Sequence, residues 1–232
     1  LYSLFDNLKE DDYIECWQSK FKEKADIKMR INGNIKGISI KMGENNSVHQ
    51  EHINSFSNYL LSIGVSNTVV NELRAYIFGI INGVQINTES YKKEMVKFLR
   101  DLIAIPGESG SESKVILMDF YIKINLFIRF LWKGKETQLF DADAIIHGTP
   151  ENFLWATKSE VLEYLINYPN DNSVHVKIGP LFIQCRNRNL NKNVSSMFAE
   201  EYIQVKWYSL KKDLYLITKN RQKRKNHILI DN

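Results

Sequence analysis

The sequence predicts an α/β fold: one mixed unit of strands and helices, 232 residues long, carrying a helical insertion. Three observations predict it. An Asn32-Gly33 pair stands between two alternating runs, the strongest short-range hairpin signal, because both central residues of a type I′ turn take positive φ. Between residues 47 and 132 apolar residues recur mostly at helical spacing. From Asp141 onward the texture changes to short alternating runs.

The elements follow in order. Residues 13–24 carry Ile14, Trp17 and Phe21 at helical spacing and predict a helix. The hairpin comes next. With Asn32 and Gly33 as its loop, Ile31 pairs with Asn34, which sets Ile27 opposite Ile38 and Asp26 opposite Ser39. Side chains alternate along a strand, so Asp26, Ser39 and Lys41 share one face while Ile27, Ile38 and Ile40 take the other. A slip of one residue would set Asp26 against Ile40 and spoil both faces. Ser47-Val48-His49-Gln50 then fits a capping box and predicts a helix with Ile53, Phe56, Leu60 and Ile63 on one stripe. Glu51 falls off that stripe, beside Ser55, Asn58 and Ser62, in a first turn where the helix dipole favours an anion.

Further helical patterns lie near 69–81, 89–105 and 113–132, with a glycine loop at 107–110; the stretch 67–132 reads as the insertion. Residues 115–132 are apolar, but Asp119, Lys123 and Arg129 interrupt them, which marks a buried amphipathic helix and not a membrane span. Beyond Asp141 the pattern predicts a strand at 144–147 and a helix over 150–168 with Pro150 in its first turn. Residues 174–178 and 181–186 flank Gly179-Pro180 as a hairpin or bend, and 202–208 alternates like a strand.

A chain of this length can bury a sizeable core as a single domain spanning residues 1–232. Cys16 and Cys185 are its two cysteines, far apart, so neither a disulfide framework nor a zinc cluster is suggested, and a reducing cytoplasm is the plain reading. No signal-peptide pattern opens the chain, which begins at Leu1 as a fragment or a processed product would. The net charge of +4 is unevenly spread. Residues 186–232 hold eleven Lys/Arg against four acids, leaving twenty against twenty-three in 1–185. A basic C-terminal segment on a near-neutral body suits a phosphate backbone; a solvated tail is the bland alternative for 219–225.

Where this segment begins, Gln184, just before it, and Arg186, Asn187, Arg188 and Asn189 are the residue types that pair with guanine and adenine edges. Non-specific phosphate contact would use the same side chains, and a polar turn is the simplest alternative. Lys206, in Gln204-Val205-Lys206, reads as a contact to DNA or solvent; with Glu200, Glu201, Asp141 and Asp143 it forms a weaker rival to the Lys41 group. His49 and His52 stand three apart, a spacing that can bind metal, but capping or surface roles are preferred. The chain has no Walker loop and no Gly-x-Ser-x-Gly elbow, so ATP-driven and serine-hydrolase chemistry lack their marks.

Asp26, Lys41 and Glu51 resemble the site of the PD-(D/E)XK nucleases, in which an Asp opening one strand and a Glu-x-Lys on its neighbour bind a divalent metal. Ser39 stands where that pattern has Glu, and Ala25 where a proline usually precedes the Asp. A branch of type II restriction enzymes has Ser-x-Lys there, with the metal-binding Glu moved to the following helix; Glu51, ten residues after Lys41, resembles that relocated acid. The resemblance implies a restriction-endonuclease-like mixed sheet flanked by helices. It also implies Mg²⁺ held by Asp26 and Glu51, Lys41 as catalytic lysine, and Ser39 as a spacer or support. The chemistry wants these types, because Mg²⁺ takes hard oxygens, lowers the pKa of bound water and neutralises phosphate charge, while a placed ammonium stabilises charge that develops. Further implied are sequence-specific cutting of double-stranded DNA, a homodimer and a cognate DNA methyltransferase as genetic partner. The residues alone leave open a catalytically inert DNA-binding module and a structure-specific nuclease of repair or recombination.

Overall fold

The computed structural model describes residues 9, 11–20, 23–44, 46–78, 80–81, 84–85, 120–134, 141–169, 177–185 and 202–230. The expected helix at 89–105, the loop at 107–110 and residues 174–176 lie outside them. The architecture is α/β, and the chain divides into two compact units.

The first unit takes Leu1–Asn46, Phe127–Tyr168 and Trp207–Asn232. Its centre is a mixed five-stranded sheet made of β1 (Ile14–Gln18), β2 (Ile27–Ile31), β3 (Asn34–Lys41), β7 (Ala144–Thr149) and β8 (Asn152–Thr157), in that spatial order. The Asn32-Gly33 turn holds φ of 49° and 80°, as a type I′ loop requires. The register is the expected one, Ile31 opposite Asn34 and Ile27 opposite Ile38. Its apolar face carries buried Met29, Ile31 and Ile38, with Ile27, Ile40 and Ile146 packed against them. β3 and β7 run parallel, which sets Lys41 beside His147 and requires the long crossover that residues 42–143 supply. Asp143 pins this junction, its N–H donating to Gly37 O (2.7 Å) and its Oδ2 accepting from Gly37 N (2.8 Å).

Two stretches expected to be helical form strands. Residues 14–18 form β1, because Ile14–Gln18 pairs along β2 and gains an Arg30–Glu15 ion pair and the Arg30 guanidinium over the Trp17 ring. Cross-strand contacts of that kind override a three-residue coincidence of helical spacing. Residues 152–157 form β8, a hairpin partner of β7 around Pro150, so the helix α4 (Lys158–Ile166) starts eight residues later than Pro150 suggests. Thr157 caps it with Glu160 in a true capping box.

The basic C-terminal stretch also folds, as α5 (Leu210–Ile230), which with α4 packs on β8. Two polar anchors hold it. Buried Asp213 accepts from Tyr164 OH (2.7 Å), Trp207 Nε1 (2.6 Å) and Ser209 Oγ (2.6 Å). Arg221 grips both oxygens of Glu160, donates to Trp155 O and lies over the Trp155 ring.

The second unit takes Ser47–Leu126 and Pro169–Lys206. A four-stranded sheet runs β4 (Asn46–His52), β11 (Tyr202–Trp207), β10 (Leu181–Cys185) and β9 (Lys177–Ile178); β5 (Ile80–Ile81) pairs with β6 (Val84–Gln85). The turn at Gly179-Pro180 joins β9 and β10 antiparallel, in agreement with the hairpin reading. Helices α1 (Ile53–Ser62), α2 (Asn67–Phe78) and α3 (Phe120–Phe127) complete the unit; the π-helical stretch Ile128–Lys133 belongs to the first unit. Ile53, Phe56 and Leu60 of the expected stripe are buried. Among the described residues no helix is long and apolar enough to cross a membrane.

Candidate active site

Asp26 immediately precedes β2. The ladder ends at Ile27–Ile38, and the Asp26 N–H reaches back to Ile38 O (2.8 Å). Its carboxylate, and not its backbone, therefore faces Ser39 and Ile40. Asp26 Oδ2 accepts from Ile40 N (2.6 Å) and from Ser39 Oγ (3.2 Å), and lies 3.6 Å from Lys41 Nζ. Lys41 Nζ in turn donates to Ser39 Oγ (2.7 Å) and to Ile40 O (3.1 Å). Ser39 is thus a buried link, accepting from the lysine and donating to the aspartate. The three residues expected on one face are together.

Their exposures differ in a useful way. Asp26 keeps 49% of its side-chain surface and Lys41 17%. Burial lowers the pKa of Lys41, a shift that the nearby Asp26 partly opposes. Oδ2 is anchored while, among the described residues, Oδ1 accepts no hydrogen bond.

His147 was not singled out by the sequence, since only the parallel pairing of β3 with β7 brings it beside Lys41. It is buried, and its Nε2 donates to Gly43 O (2.8 Å), an acceptor shared with Asn46 Nδ2 (2.9 Å). A carbonyl only accepts, so Nε2 carries the proton. The pair fixes the turn that follows Lys41, where Gly43 takes φ +84°. A strand at 144–147 was expected, but nothing in the sequence said which neighbour it would have.

Glu51 lies elsewhere than the helix turn expected for it. It belongs to the second unit and sits on β4, not in the first turn of a helix. Residues 46–52 form a strand beside β11, and the helix cap moves to His52, whose Nδ1 accepts from Asn54 N (3.1 Å). That capping role for His52 is the one preferred from sequence. The Glu51 side chain has 0% of its surface exposed; Oε1 meets His49 Nε2 at 3.0 Å and Oε2 accepts from Ser55 Oγ (3.2 Å).

Of the expected DNA contacts, Gln184 on β10 donates to Gln204 Oε1 on β11 (3.3 Å), and Lys206 is half-buried on β11. Arg186, Asn187, Arg188 and Asn189 lie outside the described residues, as do Glu200 and Glu201. Asp143, part of the rival grouping, is engaged with Gly37 as described above.

Among the described residues no group of three or more His, Cys, Asp or Glu side chains could hold a metal ion. A magnesium ion needs less from protein, commonly one or two carboxylates, with water and substrate phosphate filling the other positions. Asp26, oriented through Oδ2 and open at Oδ1, fits that demand. No protein-family model, no curated protein and no solved structure matches the chain.

Proposed function

We propose that this chain is a Mg²⁺-dependent endodeoxyribonuclease of the restriction-endonuclease-like kind, hydrolysing phosphodiester bonds of double-stranded DNA at Asp26 and Lys41. The observation that carries the reading is the linked group Asp26–Ser39–Lys41, in which a half-open carboxylate adjoins a mostly buried lysine of lowered pKa. A mixed sheet with helices packed on it supports the same kind.

Asp26 Oδ1 would hold the ion. Bound Mg²⁺ supplies charge neutralisation at the phosphate and a more acidic water. Asp26 Oδ2 is held by the Ile40 N–H and Ser39 Oγ, so the carboxylate presents Oδ1 without first losing rotational freedom. Lys41, fixed by Ser39 Oγ and Ile40 O, gives up a proton more readily than an exposed lysine does. It can therefore receive a proton from the attacking water, or in its charged form stabilise the phosphorane-like charge. Ser39 positions both partners. Glu51 is assigned no ligand role, since its two oxygens meet His49 and Ser55. A homodimer acting on palindromic sites, beside a cognate methyltransferase gene, belongs to the same proposal.

Incubation of plasmid with the protein and Mg²⁺ tests it. Discrete fragments are expected. Nicks at branched junctions alone would indicate a structure-specific nuclease, and intact DNA with a gel shift would indicate an inert binder.

A further inference from the structure

The two sides of α5 differ in charge. Inward, Leu210, Leu214 and Ile217 are buried, Asp213 is consumed by Tyr164, Trp207 and Ser209, and Arg221 by Glu160. Outward, Lys211, Lys212, Tyr215, Leu216 and Lys219 are exposed, and between residues 210 and 222 no acid faces that way. Spacings of one, four, five and eight residues put these five on one side of the helix. Lys211 and Lys219 span about 12 Å of its axis, the rise of three or four phosphates along one DNA strand. The helix continues through Lys223, Arg224 and Lys225.

Helix stability does not account for this stripe. Lys211 and Lys212 occupy the first turn, where the helix dipole disfavours cations, and no acid is placed outward to pair with Lys219. A face of lysines with an interposed tyrosine hydroxyl suits a polyanion whose charges lie at regular intervals. Its location is informative too. α5 packs on the Trp155 side of the sheet, and the register places Trp155 with Ile146 and Ile40, the face opposite Ser39 and Lys41.

We infer that the outward face of α5 binds the phosphate backbone of a DNA duplex, at a place separate from the Asp26–Lys41 group. The identity of the polyanion rests on the nuclease reading. The stripe thereby makes a second, sequence-independent contact, to a stretch of duplex other than the one held at Lys41.

The test is binding of a random-sequence duplex by the full chain carrying Lys41→Ala, without Mg²⁺, as a function of salt. Adding Lys211→Glu, Lys212→Glu and Lys219→Glu is expected to weaken binding by about tenfold or more, and to flatten the log–log salt slope by about three. The corresponding three Lys→Arg changes are expected to preserve both. Unchanged affinity and slope in the glutamate variant would overturn the inference. So would loss of binding to phosphatidylserine vesicles with duplex binding intact, which would assign the stripe to a membrane surface. The two readings fail separately: duplex binding that depends on the stripe, from a protein that cuts nothing, removes the nuclease and leaves the stripe. Cutting by a protein whose stripe variant binds normally removes the stripe alone.

Discussion

Lys41 and Asp26 meet across the first hairpin with 3.6 Å between Nζ and Oδ2, the lysine mostly withdrawn from water and the aspartate half open. Burying an ammonium beside one exposed carboxylate is an expensive arrangement, and fold stability alone would not select it.

Lys41→Met is therefore expected to hold or raise stability, by about 1 kcal/mol, since Asp26 keeps the Ile40 N–H and Ser39. The sign of the pH dependence follows from the lowered pKa. Between that value and about 10.4 the folded chain binds fewer protons than the unfolded one, so stability rises with pH across the window. Urea midpoints measured from neutral to alkaline pH should show this rise in the wild type and a smaller one in Lys41→Met.

Glu51→Ala should act on stability. It removes the acceptor of His49 Nε2 and of Ser55 Oγ from a buried site, a loss of about 2–3 kcal/mol. Calorimetric titration with Mg²⁺ should be unchanged in this variant and strongly weakened in Asp26→Asn. The opposite pattern would make Glu51 the principal ligand.

Asp213→Asn should loosen the α5 anchor by about 2–3 kcal/mol, because three donors converge on that carboxylate. Tyr164 reports it independently. Its phenol is pushed up well beyond the ordinary tyrosine range, first by burial and then by Asp213. The folded chain holds that proton past the pH at which the unfolded chain loses it, so stability falls as pH rises above about 10. Ultraviolet titration should find Tyr164 ionising at lower pH in Asp213→Asn.

Two glycines should respond unequally to alanine. Gly33 takes φ +80° with open space around a new Cβ, so Gly33→Ala costs roughly 1 kcal/mol of backbone strain. At Gly148, near the end of β7, a new Cβ would clash with the backbone O of Asn152 at the start of β8, and Gly148→Ala should cost roughly 3 kcal/mol or more. Thermal melts of the two variants would rank them.

The hairpin and its site face were legible in the sequence because turn chemistry and period-two alternation agree there, and all three side chains lie within one local element. β4 was not, because Ser47 and Gln50 imitate a capping box while the strand's partner, β11, is supplied by distant sequence. The Gln50 Nε2 to Ser47 Oγ contact does form, at 3.3 Å, but within a strand. β8 was hidden by Pro150, read as a helix start when it turns a hairpin; Thr157 with Glu160 was the better signal. α5 was obscured by its charge, although Leu210, Leu214, Ile217 and Arg221 already fall at helical spacing. His147 had no local signature at all, since parallel neighbours are set by topology.

The most direct measurement is the rate of Mg²⁺-dependent cleavage of supercoiled plasmid by wild type and Lys41→Ala at equal DNA saturation. The wild type is expected to cut, and Lys41→Ala to cut about a thousandfold or more slowly with duplex affinity retained. A wild type that leaves DNA intact with Mg²⁺, or a variant that cuts at the wild-type rate, would contradict this.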